Sequence, residues 1–132
     1  MKNGILRHSK NLRMDNKKVK IIGKFTGFCC DRLGLVNPVI VYLCADRAKI
    51  STTAAYSPSE KTCFVYAKNR AIVDICRSIA HELTHMMQDE NGLLGMPIKD
   101  IGGFHEDQAN AFAGQLIKLF AKKVKNGKEI YE

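Results

Sequence analysis

Between residues 72 and 87, Ile72, Ile75, Cys76, Ile79, Leu83 and the pair Met86-Met87 recur at steps of three and four. That spacing predicts a long amphipathic helix, with Asn69 placed to cap its start and Asn91-Gly92 to stop it. An apolar stripe of that length must be covered by other elements of the same core. The whole chain is 132 residues, so the covering layer belongs to a single domain.

The remaining segments predict what that layer is. Val19, Ile22, Phe25, Cys29 or Cys30, and Leu33 repeat at helical steps over residues 17–33, and Gly34 is a fitting stop. Gly23 and Gly27 each weaken that helix by about 1 kcal/mol relative to alanine. Pro38 to Cys44 is a β-branched run suited to a buried strand, residues 49–56 make weaker strand material, and Ser57-Pro58-Ser59-Glu60 reads as a turn. Lys61 to Lys68 then alternates as a hairpin partner. After a loop carrying Gly95, Pro97, Gly102 and Gly103, a last helix aligns Ala109, Phe112, Ala113, Leu116 and Phe120. The expectation is an α+β domain over residues 17–126: an N-terminal helix, a small, mostly antiparallel sheet and two further helices. Residues 1–16 read as a basic arm and 127–132 as a polar tail.

The net charge is +8, and residues 1–24 hold eight Lys and Arg against Asp15 alone. Such a block can draw a polyanion, and weak nucleic-acid binding through the arm is one expectation. Neither aromatic interleaving nor a helix-turn-helix pattern accompanies it. The longest charge-free stretch, Leu33 to Ala45, is 13 residues, against roughly 18 for a membrane span. Lys2, Arg7, Lys10 and Arg13 interrupt any signal-peptide core at the N-terminus, so neither a membrane nor secretion is expected. Cys29, Cys30, Cys44, Cys63 and Cys76 are odd in number and lack CxxC spacing. They read as buried thiols of a cytoplasmic protein.

Inside the long helix stands His81-Glu82-Leu83-Thr84-His85. Histidines at i and i+4 share a face and reach one ion, while Glu82 projects toward a water on that ion. With 4 His and 6 Glu in 132 residues, a shuffled chain would contain about 0.005 such matches. One Zn²⁺ per chain, three protein ligands and a water activated by Glu82 make a hydrolytic centre. The third ligand is Glu106 or His105, neighbours at the start of the last helix, of which only one can face the ion. Glu106 lies in the first helical turn, and Asn110 four residues on is placed to hydrogen-bond a ligand histidine.

HELTH, followed about twenty residues later by Glu106-Asp-Gln-Ala-Asn-Ala-Phe-Ala113, resembles the gluzincin zinc metallopeptidases, in particular the small ImmA/IrrE-like group. The resemblance is sharp over residues 79–113 and architectural over 17–68. It implies a minimal zincin-like domain with His81, His85 and Glu106 on zinc, Glu82 as general base and Asn110 behind a ligand. It also implies a protein or peptide substrate, such as a repressor, bound in extended form along the strand around Thr62 to Lys68, read as the sheet edge. The metzincin pattern is absent, because Gln88 and Asn91 stand where it needs glycine and histidine. Met86 and Met87 are therefore core residues. Larger gluzincins supply a further His or Tyr for the oxyanion. Here Tyr56 and Tyr66 are the candidates, against their reading as strand aromatics. Two alternatives stand beside this: an SprT-like, DNA-associated protease with His105 on the metal, and a catalytically silent, zinc-stabilised module that binds a polyanion.

Overall fold

The computed structural model describes residues 4–46, 53–92 and 103–132. In order, these form β1 (Gly4–His8), α1 (Asn16–Leu33), β2 (Val39–Cys44), β3 (Ala54–Ser57), β4 (Thr62–Tyr66), α2 (Ile72–Glu90), α3 (Phe104–Lys123) and a 3-10 turn at Gly127–Tyr131. The architecture is α+β, three helices and one four-stranded sheet of order β1-β2-β4-β3. None of the helices among the described residues is long and apolar enough to cross a membrane.

Alternation in the strands selects the covered face. Val39, Val41 and Leu43 are buried on one side of β2, and Cys63 and Val65 continue that side on β4. Ile40, Tyr42, Phe64 and Tyr66 are half-buried and point to the opposite side. α1 and α2 pack on the first side, and α3 lies against both helices. There Phe120 meets Phe25 and Phe28 edge to face, with ring centroids 5.3 and 5.5 Å apart. The stripe of α2 is buried as its spacing predicts: Ile75, Cys76, Ile79, Leu83 and Met86 are all within the core.

The sheet is mixed, which corrects the expectation of a mostly antiparallel one. β1 and β4 both run parallel to β2, and only the β3–β4 hairpin is antiparallel. A helix between β1 and β2 is a crossover, and a crossover returns the chain in the same direction. β4 then enters between β2 and β3, so the strand read as the edge is interior and β3 is the edge on the α2 side.

Both chain ends also differ from the expectation. Residues 4–8 are a strand rather than an arm. A Cβ at Gly4 would lie 2.8 Å from Thr26 Cγ2 and 3.0 Å from Cys30 Sγ, so glycine is what lets β1 approach α1 this closely. The polar tail folds back as the 3-10 turn, with Ile130 fully buried and Gly127 seated against the Phe120 carbonyl.

Helix boundaries follow local chemistry. The Asp15 carboxylate accepts from Lys17 N–H at 2.7 Å at the start of α1, and Gly34 ends it in the left-handed conformation at φ 67°. Asn91 closes α2 as expected. Its N-cap, however, is Ala71 rather than Asn69, which adopts a left-handed φ of 57° in the preceding turn. All five cysteines are buried free thiols, and burial pushes Cys30 up to about 12. The glycine-rich loop preceding α3 lies, up to Gly102, outside the described residues, as do residues 49–52 of the weak strand segment.

Candidate metal centre

α2 supplies two histidines one turn apart, and the first turn of α3 brings a carboxylate between them. Nε2 of His81 and Nε2 of His85 are 3.2 Å apart. Glu106 places one oxygen 3.1 Å from the first and the other 2.7 Å from the second. These three residues form the group of potential ligands found among the described residues. The rings are half-buried and lie edge to face, 4.8 Å between centroids.

Hydrogen bonds on the far side of each ring determine what the near side presents. Gln88 is fully buried, and its Nε2 donates to the main-chain oxygen of His105 at 3.0 Å and to Gln108 Oε1 at 2.9 Å. Because a carbonyl can only accept, the amide nitrogen of Gln88 is committed there and its Oε1 must face His85 Nδ1, 2.8 Å away. Nδ1 of His85 is therefore the protonated nitrogen, which leaves Nε2 of the neutral ring with a lone pair. Asn110 Oδ1 lies 3.0 Å from Nδ1 of His81 and sets that ring the same way.

Two lone pairs and a carboxylate then converge on one point. Such a group cannot satisfy itself by hydrogen bonding unless a ring takes up a proton, and burial and the neighbouring His85 lower the pKa of His81. A cation fits the donor set. A tetrahedral ion with ligands at about 2.0–2.2 Å spaces them roughly 3.3–3.6 Å apart, a few tenths of an ångström wider than the 3.2 Å between the two Nε2 atoms here.

Glu82 stands beside this group on the sheet side of α2. It is 8% exposed, its Oε2 is 3.9 Å from His81 Nε2, and it accepts a hydrogen bond from the main-chain N–H of Tyr56. Burial is the main cause that raises its pKa to about 7, and Glu106 adds to the rise against the opposing pull of His85 and of the Tyr56 N–H.

The other candidates are placed elsewhere. The His105 ring packs edge to face on Phe104, and its Nδ1 is buried without a hydrogen-bond partner among the described residues. Only its main-chain oxygen reaches the site. The Tyr56 hydroxyl donates to Asp89 at 2.8 Å, a bond that Lys61 reinforces from 3.3 Å. Tyr66 lies on the face of β4 opposite Cys63 and Val65, away from α2. Neither tyrosine presents a hydroxyl to the histidines, a correction that follows from strand alternation for Tyr66 and from the bond to Asp89 for Tyr56. Two contributions were missed in the sequence. Gln88, three residues beyond His85 and seven beyond His81, shares their face, and a polar residue there was the available signal. The main-chain N–H of Tyr56 had no signal at all.

Compared with protein-family models, with curated proteins and with solved structures, the chain finds no match.

Proposed function

We propose that the chain is a zinc-dependent peptidase whose ligands are His81, His85 and Glu106 and whose general base is Glu82. The observation that carries this reading is the convergence of two lone-pair imidazole nitrogens and a carboxylate beside a buried glutamate. When bound, zinc would act as a Lewis acid that acidifies water and polarises a substrate carbonyl.

The chain's own residues supply the rest. Glu82, with a pKa near neutrality, is suited to take a proton from water at one carboxylate oxygen and return it to the leaving amine. The Tyr56 N–H fixes that carboxylate against the sheet edge. Asn110 and Gln88 hold the imidazoles so that neither ring turns its protonated nitrogen inward. β3 is the edge strand on this side of the sheet, and an extended segment of a protein substrate, such as a repressor, would add beside it.

The test is elemental analysis of the purified protein together with cleavage of an unfolded protein substrate by wild type and by Glu82→Gln. About one zinc per chain in both, with turnover reduced at least about a hundredfold in the variant, is the expected result. Equal turnover in the two proteins would remove the base and the mechanism with it.

A further inference from the structure

A cavity of about 330 Å³ opens beside His81 and Glu82, toward the N-terminal half of α2. Arg70, Asp74, Arg77 and Ser78 form one wall, and Thr53 and Ala54 at the start of β3 form the other. A substrate added along β3 would place there the side chain next to the bond cleaved.

The lining offers hydrogen-bond donors to an anionic acceptor, two guanidinium groups and a buried hydroxyl, beside the Asp74 and Glu82 carboxylates. Arg70 is fixed by three hydrogen bonds, to the main-chain oxygens of Tyr66 (2.8 Å) and Asp74 (3.0 Å) and to Ser78 Oγ (3.0 Å). In the last of these the Ser78 hydroxyl accepts, so its own proton remains to be donated. Ser78 is only 9% exposed, and no acceptor takes that proton among the described residues. A buried hydroxyl polarised by a guanidinium and turned to a cavity calls for an acceptor from the ligand. Arg77 pairs with Asp74 at 3.0 Å, but both side chains are about half exposed, at 53% and 51%. A solvated pair of that kind exchanges readily for an incoming carboxylate. Among the described residues Ala54 is the only apolar side chain in the lining, so a large apolar residue gains little from them.

We infer that this cavity is the subsite for an acidic side chain, Asp or Glu, of the protein substrate, recognised by Ser78 and Arg77. The inference rests on the peptidase reading, and the experiment separates the two. Binding is measured by fluorescence anisotropy with Zn²⁺-loaded Glu82→Gln protein, so that the probes survive. The probes are three labelled decapeptide pools, randomised except for one central Glu, Gln or Lys. The Glu pool should bind about tenfold more tightly than the Gln pool, and Ser78→Ala should reduce that margin. Arg77→Glu should reverse the preference toward the Lys pool, a response that loss of a structural contact would not produce. Equal affinity for the three pools, or no binding of any, overturns the subsite. The expected preference without turnover by wild type keeps the subsite and removes the peptidase reading. Turnover by wild type with equal affinities keeps the peptidase and removes the subsite.

Discussion

The side-chain oxygen of Gln88 faces His85 Nδ1 across 2.8 Å, and a carbonyl on a different helix enforces that orientation. The main-chain oxygen of His105 and Gln108 Oε1 hold the amide nitrogen of Gln88, so α3 fixes the tautomer of a histidine on α2. Metal affinity and the docking of α3 on α2 are thereby linked. Gln88→Ala should lower zinc affinity by about ten- to a hundredfold in a competition titration, and should lower Tm even without metal. Unchanged affinity would show that His85 needs no such restraint.

Asn110 and Glu106 sit one turn apart on α3 and serve different rings, the first behind His81 and the second in front of both. The side chain of His105 lies off this face. Glu106→Gln should weaken zinc binding strongly, Asn110→Ala by about ten- to a hundredfold, and His105→Ala little. Isothermal titration of the three variants with Zn²⁺ gives the order. A large loss for His105→Ala with a small one for Glu106→Gln would move the site to three histidines.

The α2 stripe, the HELTH pair and the placement of Asn110 were legible because each is a helical relation of three or four residues, and helical geometry is the same in every chain. The sheet was less so. Whether β4 lies inside or at the edge depends on its parallel pairing with β2, a non-local contact with no local signal, and the other parallel partner of β2, β1, is a five-residue strand in which Ile5 and Arg7 are exposed and Leu6 is half-buried. Its strongest clue is a glycine, a residue that carries no apolar signal. The role of the Tyr56 main-chain N–H is illegible for a plainer reason, since every residue but proline has one.

Gly4 therefore tests whether β1 belongs to the fold. Thr26 donates its hydroxyl to the Ile22 main-chain oxygen at 2.9 Å, which fixes its rotamer and leaves Cγ2 pointing at Gly4. Gly4→Val should cost about 1–3 kcal/mol in urea unfolding, as overpacking does. A change within about 0.5 kcal/mol, usual for exposed positions, would return residues 4–8 to the status of an arm.

The pH dependence of stability in the metal-free protein reports directly on Glu82. Its carboxyl ordinarily titrates at 4.5 and is raised to about 7 in the fold, chiefly by burial. Below pH 4.5 the native and unfolded chains both hold the proton, and Glu82 imposes no penalty on folding. Between pH 4.5 and 7 the unfolded chain releases it while the native chain retains it, so stability falls as pH rises, at about 1.4 kcal/mol per unit. The loss reaches the order of 3 kcal/mol near pH 7 and levels off above it. His81, whose pKa is lowered, acts in the opposite direction, and the comparison with Glu82→Gln removes the part of its contribution that does not depend on the neighbouring Glu82 carboxylate. The measurement is urea unfolding of both proteins in chelator from pH 4.5 to 8. Wild type should lose stability relative to the variant across that range, and saturating Zn²⁺ should flatten the difference, because a nearby cation favours the carboxylate. A difference that stays flat without metal would mean that Glu82 is ionised in the native chain at pH 5, and the burial that tunes it as a base near neutrality would be refuted.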